Sequence, residues 1–203
     1  REYFASECLK QLGIPTTEAL ACVLTNEEIP RDMFYDGRVQ NEPGAIVTRG
    51  APSFLRFGHF EILSHTGRFH DLKQLIGYVL MNYYSDLIPK SFYEVNNLNK
   101  VPNTIFPIEL LDDSLISNWF NQICQRTAGL VVEWMRVGFV HGVLNTDNMS
   151  ILGLTIDFGP FGFMDEFNFS FTPNTTDRQN RYCYSNQPEV VLWNLNQLAN
   201  ALS

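Results

Sequence analysis

The stretch Gly138-Phe-Val-His141-Gly-Val-Leu-Asn145-Thr-Asp147-Asn148-Met-Ser-Ile-Leu-Gly-Leu-Thr-Ile-Asp157-Phe-Gly159 constrains this chain more than any other. It packs His141, Asn145, Asp147 and Asn148 into eight residues, between an apolar approach and two further apolar runs. Met149-Ser-Ile-Leu and Leu154-Thr-Ile have the length of two short strands, and the spacing predicts that they pair across Gly153. Such a hairpin returns Asp157 to the side of Asn148. An Asn and an Asp meeting at the mouth of a small sheet are oxygen ligands of the kind Mg²⁺ takes when it also holds substrate phosphates.

The rest of the composition bounds what that stretch can serve. A length of 203 residues allows one large domain or two small ones and buries a sizeable core. Hydrophobic content of 45% against 18% charged describes a globular chain, not a disordered one. The net charge of −8 argues against a general nucleic-acid or anionic-membrane surface, so an anionic nucleotide needs a local basic pocket and a metal. There is no run of about 18 apolar residues, and no membrane span is expected. Cys8, Cys22, Cys124 and Cys183 are scattered without a CxxC pair and read as reduced thiols. Arg1-Glu2-Tyr3-Phe4 opens without Met, targeting segment or helix cap, as expected of a piece of a longer protein.

Taken in order, Ala5, Cys8, Leu9 and Leu12 form the apolar stripe of a first helix that Gly13 and Pro15 end. Glu2, in its first turn, reads from position alone as a solvated residue or a partner for the helix dipole. Ala19–Thr25 is expected as a buried strand, Asn26–Pro43 as a polar, turn-rich link with a tight turn at Asp36-Gly37, and Ala45–Arg49 as a second strand. Arg49 and Arg56 flank Ala51-Pro52-Ser53-Phe54, and two readings stand for them. They converge on one polyanion, which the guanidinium fork suits, or they make salt bridges at the edge of the core. His59, His65 and His70 do not share a helical face and read as solvated or locally bonded.

A helix is expected over Asp71–Tyr84, then a long connection over Ser85–Leu111 that is the candidate mobile loop. Asp113 is expected to cap a long helix to about Arg136, with Ile116, Trp119, Phe120, Ile123, Leu130, Val131 and Trp134 inward and Gly138 ending it. Six phenylalanines between Phe158 and Phe171 suit core packing and loop anchoring better than base stacking, because no Lys or Arg interleaves them. Asn186 is expected to cap a last helix with Pro188 early and Val191, Leu192, Leu195, Leu198 and Leu202 inward.

The His141-to-Asn148 spacing and the Asp157-Phe158-Gly159 triplet resemble the protein-kinase signature. The kinase catalytic Asp is missing, because its position is Val143; Asp147 offers another carboxylate. The whole run from His141 to Phe163 more closely resembles the selenoprotein O family of protein-kinase-like enzymes. So do Arg49-Gly-Ala-Pro-Ser-Phe-Leu-Arg56-Phe-Gly and Trp119-Phe through Trp134-Met-Arg-Val-Gly, and the likeness runs from Arg1 to Ser203.

That resemblance implies an α+β, protein-kinase-like fold: a partial N-terminal sheet lobe over residues 1–60 and a mostly helical C-terminal lobe over 61–203. It implies a protein adenylyltransferase that binds ATP in a flipped orientation and moves AMP to Ser, Thr or Tyr hydroxyls of proteins, with Mg²⁺ or in its place Mn²⁺. By the same resemblance Asn148 and Asp157 hold the metal, Asp147 accepts the hydroxyl proton, and Arg49 and Arg56 bind phosphates. Asp157 thereby also contacts the nucleotide. Glu2 matches the helix glutamate that pairs with an upstream lysine, a partner absent from this chain, so the isolated piece is expected to be inactive. The implied partners are ATP and protein substrates, with neither nucleic acid nor membrane, and the implied compartment is cytoplasmic in bacteria and mitochondrial in eukaryotes. Two rival classes remain, a protein kinase using Asp147 and a non-catalytic nucleotide-binding module.

Overall fold

Helix α1, Glu2–Gln11, buries Ala5 and Leu9 and stops because Gly13 takes φ +77°. There the Gly13 N–H bonds the Lys10 carbonyl at 3.0 Å and the Ile14 N–H bonds the Leu9 carbonyl at 2.9 Å. This paired closure satisfies the last carbonyls of the helix, and Ile14 packs beside Leu9 in the core. The computed structural model describes residues 1–32, 36–89 and 106–203. Most of the Ser85–Leu111 connection, expected from the sequence to be mobile, lies outside the described residues.

Strands β1, Glu18–Arg31, and β2, Gln40–Gly50, form an antiparallel pair, with Ala19 opposite Arg49 and Arg31 opposite Gln40. Two expectations fail here. The pairing continues through most of the region read as a turn-rich link, and β1 is not buried: Leu20, Val23 and Leu24 face outward while Ala19 alone is buried. Backbone hydrogen bonds carry a ladder whatever its side chains, and Asn26, at φ +60°, sits inside the register shift between Leu24 and Glu28. The Asp32 carboxylate accepts the N–H groups of Asp36 and Gly37, which shapes the expected turn.

The core is helical. Helix α2, Phe57–His65, buries Phe57 and Phe60; α3, Phe69–Tyr83, buries Leu72, Ile76, Val79 and Leu80. The long helix α4 spans Asp113–Arg136 and buries Trp119, Ile123, Leu130, Val131 and Trp134 as expected. Its cap is Asp112, not Asp113, because the Asp112 carboxylate accepts the Leu115 N–H at 2.7 Å. Helix α5, Gln187–Leu202, has Pro188 in its first turn. Asn186 precedes it without capping it: its amide nitrogen donates to the Asn180 carbonyl and its amide oxygen accepts the Ser185 hydroxyl at 3.4 Å. Leu192, expected inward, is exposed; the inward positions are shared instead by Gln187 and Asn194.

Around the signature stretch, β3, Phe139–Val140, pairs antiparallel with β4, Gly162–Phe163. The hairpin expected across Gly153 does not form. Ser150 bridges Arg56, and Thr155 bridges Thr16 in parallel, so each half pairs with a different distant segment. Thr155 is buried and takes part in several bonds: its N–H and hydroxyl go to the Pro15 carbonyl, and its hydroxyl accepts from Trp134 Nε1 at 2.9 Å. The same residue therefore ties the end of α1 and the long helix to the segment that delivers Asp157. Phe158 and Phe161 enter the core as expected, whereas Phe167 and Phe169 are exposed and stack edge to face on each other.

Candidate active site

Four of the residues singled out in the sequence meet in one ionic cluster. Arg56 Nη2 lies 2.9 Å from Asp157 Oδ2, and Arg49 Nη2 lies 3.7 Å from Asp157 Oδ1 and 3.7 Å from Glu2 Oε2. Arg49 is contributed by β2, Arg56 by the residue before α2, Glu2 by the first turn of α1, and Asp157 by the segment after Thr155. Glu2, expected to lack a partner in this chain, faces Arg49. The two arginines make the salt bridges that were one of the two readings open in the sequence, and they do so on a single carboxylate, Asp157.

The cluster retains donors. Arg49 Nη1 and Arg56 Nε are buried and without a hydrogen-bond partner among the described residues. Buried N–H groups without acceptors are costly, and on two convergent guanidiniums they suit an anion with several oxygens. Asp157 itself takes φ +57°, a left-handed backbone that Asp tolerates better than most residues. Its carbonyl accepts the Gly159 N–H at 2.8 Å, which tightens the turn.

Residues Thr146–Asn148 form one turn of 3₁₀ helix packed on the start of α2. Three links hold them there: the Thr146 hydroxyl donates to Glu61 at 2.6 Å, the Phe57 N–H donates to the Met149 carbonyl at 3.0 Å, and Asp147 Oδ1 lies against Gly58. The Asn148 amide donates to the Val143 carbonyl at 2.8 Å, which leaves its carbonyl oxygen as the group for a ligand. Asn148 and Asp157 thus offer the hard oxygen donors that Mg²⁺ prefers. Among the described residues no three His, Cys, Asp or Glu side chains gather into a metal cluster.

His141 connects the two halves of the stretch. It is fully buried; its Nε2 donates to the Ile156 carbonyl at 2.7 Å and its Nδ1 accepts the Val143 N–H at 3.4 Å. That pattern fits only the neutral ring, and burial pushes its pKa below the usual histidine value. A chain of hydrogen bonds therefore runs from Asn148 through Val143 and His141 to Ile156, next to Asp157. Helix α5 holds the same loop by its amides: Gln187 accepts the His141 N–H and donates to the Phe139 carbonyl, both at 3.0 Å, and Asn194 donates to the Leu144 carbonyl at 3.0 Å.

Sequence reading missed α2, Gly58, Glu61, Gln187 and Asn194. The helix is nine residues long, has Arg in place of Ser, Thr, Asp or Asn at its N-cap, and contains a glycine in its first turn, so little local signal announces it. The two buried amides carry no local signal that sets them apart from exposed ones. Of the histidines read as solvated or locally bonded, His59 accepts the Arg56 N–H at 3.0 Å, and His70 bonds Gln74 at 3.1 Å.

Fold, ionic cluster and loop describe a chain in which two arginines meet the Asp157 carboxylate, with Asn148 held by a hydrogen-bonded loop that ends beside it. The family model described as protein adenylyltransferase SelO matches residues 1–203, and the chain belongs to that family. It is 50% identical, over its whole length, to a protein named protein nucleotidyltransferase YdiU from Nitrosospira multiformis and to one of the same name from Tolumonas auensis. A third, from Xanthomonas oryzae pv. oryzae, is 48% identical. The chain covers 33% of the first relative and 35% of the other two, about a third of their length.

Proposed function

We propose that the protein carrying this chain is an ATP-dependent protein adenylyltransferase with a protein-kinase-like fold, acting on Ser, Thr or Tyr hydroxyls of other proteins. The observation that supports this reading most is the convergence of Arg49 and Arg56 on Asp157 with one buried donor of each arginine left over. Those donors take phosphate oxygens of the nucleotide, while Asn148 and Asp157 hold Mg²⁺. The metal, when bound, neutralises charge on the phosphates. Asp147, beside the metal Asn, accepts the proton as the substrate hydroxyl oxygen attacks the α-phosphorus. A new phosphoester bond forms, the α–β bridging bond breaks, and pyrophosphate carries away its electron pair. Positioning and charge neutralisation supply most of the acceleration. Glu2 orients Arg49 from α1.

The family membership supports transfer of a nucleotidyl group, and Val143, at the position of the kinase catalytic Asp, supports it over γ-phosphoryl transfer. ATP labelled in turn at the α- and γ-phosphates tests the reading in the intact protein. Label passing from the α-position to protein is the expected result. Label from the γ-position alone marks a protein kinase, and transfer of neither marks a nucleotide-binding module; each of these overturns it.

A further inference from the structure

We propose that Gly58 and Glu61 of α2 are positioning residues that set the Asp147 carboxylate, an inference that rests on the reading of Asp147 as proton acceptor. The chain fixes both neighbours of that carboxylate to one helix. Thr146, just before it, donates to Glu61 at 2.6 Å, and Met149, two residues after it, accepts the Phe57 N–H at 3.0 Å. Between these anchors the Asp147 side chain lies over Gly58. A Cβ at residue 58 would collide with Asp147 Oδ1 and stand 3.2 Å from its Cγ.

Conformation does not explain this glycine. Gly58 is not among the residues with positive φ, and it occupies the first turn of a helix, where alanine is the better helix former. What the missing side chain provides is room for a carboxylate. The contact also places Asp147 at the N-terminal end of α2, beside the residue that follows Arg56 and Phe57 in the chain. Helix α2 is a rigid base for the purpose, because Phe57 and Phe60 are fully buried and Phe60 packs on Trp119 at 5.7 Å. Arg56 precedes the same helix and pairs with Asp157, so one short element registers the proton acceptor against the phosphate arginine. A base displaced by about 1 Å loses much of its effect.

The test uses the intact protein, with AMP transfer kinetics, calorimetric ATP·Mg²⁺ affinity and melting temperature measured for each variant. Gly58→Ala is expected to lower kcat at least tenfold while ATP affinity stays within twofold and the melting temperature does not fall. Glu61→Leu and Thr146→Val should each lower kcat several-fold, their combination no further than the worse single change, and Thr146→Ser should keep it near the parent value. Wild-type kcat in Gly58→Ala, or loss of ATP affinity in step with kcat, overturns the proposal. Should Gly58→Ala not fold, equal kcat in Thr146→Val and Thr146→Ser overturns it instead. Asp147→Asn separates the two levels. If it keeps full kcat, the proton-acceptor reading and this inference fall together. If it is inactive while Gly58→Ala is fully active, only the positioning role is lost.

Discussion

Asp157→Ala should change nucleotide binding in two opposite directions. Without metal, Asp157 competes with the nucleotide, because its carboxylate occupies Arg56 at 2.9 Å and reaches Arg49 at 3.7 Å. Arg56 and Asp157 are each about a third exposed (31% and 28%), so solvent screens the pair and it contributes about 1 kcal/mol. Removing it should tighten metal-free ATP binding by up to about fivefold. With Mg²⁺, the variant loses one of the two oxygen ligands proposed for the metal, and the metal's tightening of ATP binding, expected to be about tenfold or more in the parent, should vanish. The backbone adds a separate cost: an alanine at φ +57° loses about 1 kcal/mol of stability, which glycine avoids. Asp157→Gly should therefore bind ATP as Asp157→Ala does and melt higher. Calorimetric titration of the intact variants, with Mg²⁺ and with chelator, measures all of this. Unchanged tightening by Mg²⁺ in both variants would refute Asp157 as a metal ligand. Weaker metal-free binding would refute the competition.

Val143→Asp restores the kinase residue, yet it should not create transfer of γ-label to protein if arginine-fixed nucleotide orientation, not the base, decides which phosphorus reacts. His141 is buried neutral with its pKa below the usual value, so the unfolded chain binds its proton more readily than the folded one. The contribution is complete above about pH 6.5 and is lost as pH falls through the folded pKa, by at most about 1.4 kcal/mol per unit. Melting temperatures of the intact protein at pH 7.5, 6 and 5 should fall, and more steeply than in His141→Gln. Gly13→Ala meets no atom within 4 Å but must hold φ +77°, so it should cost about 1 kcal/mol by urea unfolding with no effect on ATP affinity.

Elements with a local signature were legible in the sequence. The α3 and α4 stripes repeat at helical spacing, and the buried faces of both contain the expected residues. Gly13 and Gly138 mark helix ends because both adopt positive φ. Strand limits were not legible, because a two-stranded ladder with both faces largely exposed imposes no alternation on its side chains. The hairpin expected over Met149–Ile156 failed for a related reason. Its two halves are apolar enough to pair with each other, but Arg56 and Thr16 supply competing edges that only the tertiary fold brings near.

The site divides in the same way. The charged residues named by the motif carry their signal in their spacing, whereas what holds them is spread across the chain. Gln187 and Asn194 look like surface amides, yet each bonds backbone of the 139–144 segment, and their partners lie 46 to 50 residues away. His141 shows why the arrangement is strict. Both ring nitrogens are committed, one as donor to Ile156 and one as acceptor from Val143. Protonation removes the acceptor and places a charge in a fully buried site among Trp134 and Phe139, whose rings lie 5.8 and 6.4 Å away, and burial outweighs the attraction of Asp157. Between Asn148 and Asp157 the register is thus set by a neutral imidazole bridging two loops, in place of the local hairpin. A change at His141 that keeps its volume but not its two opposed hydrogen bonds should disturb Asn148 and Asp157, the two residues proposed to hold the metal, together, though it touches neither.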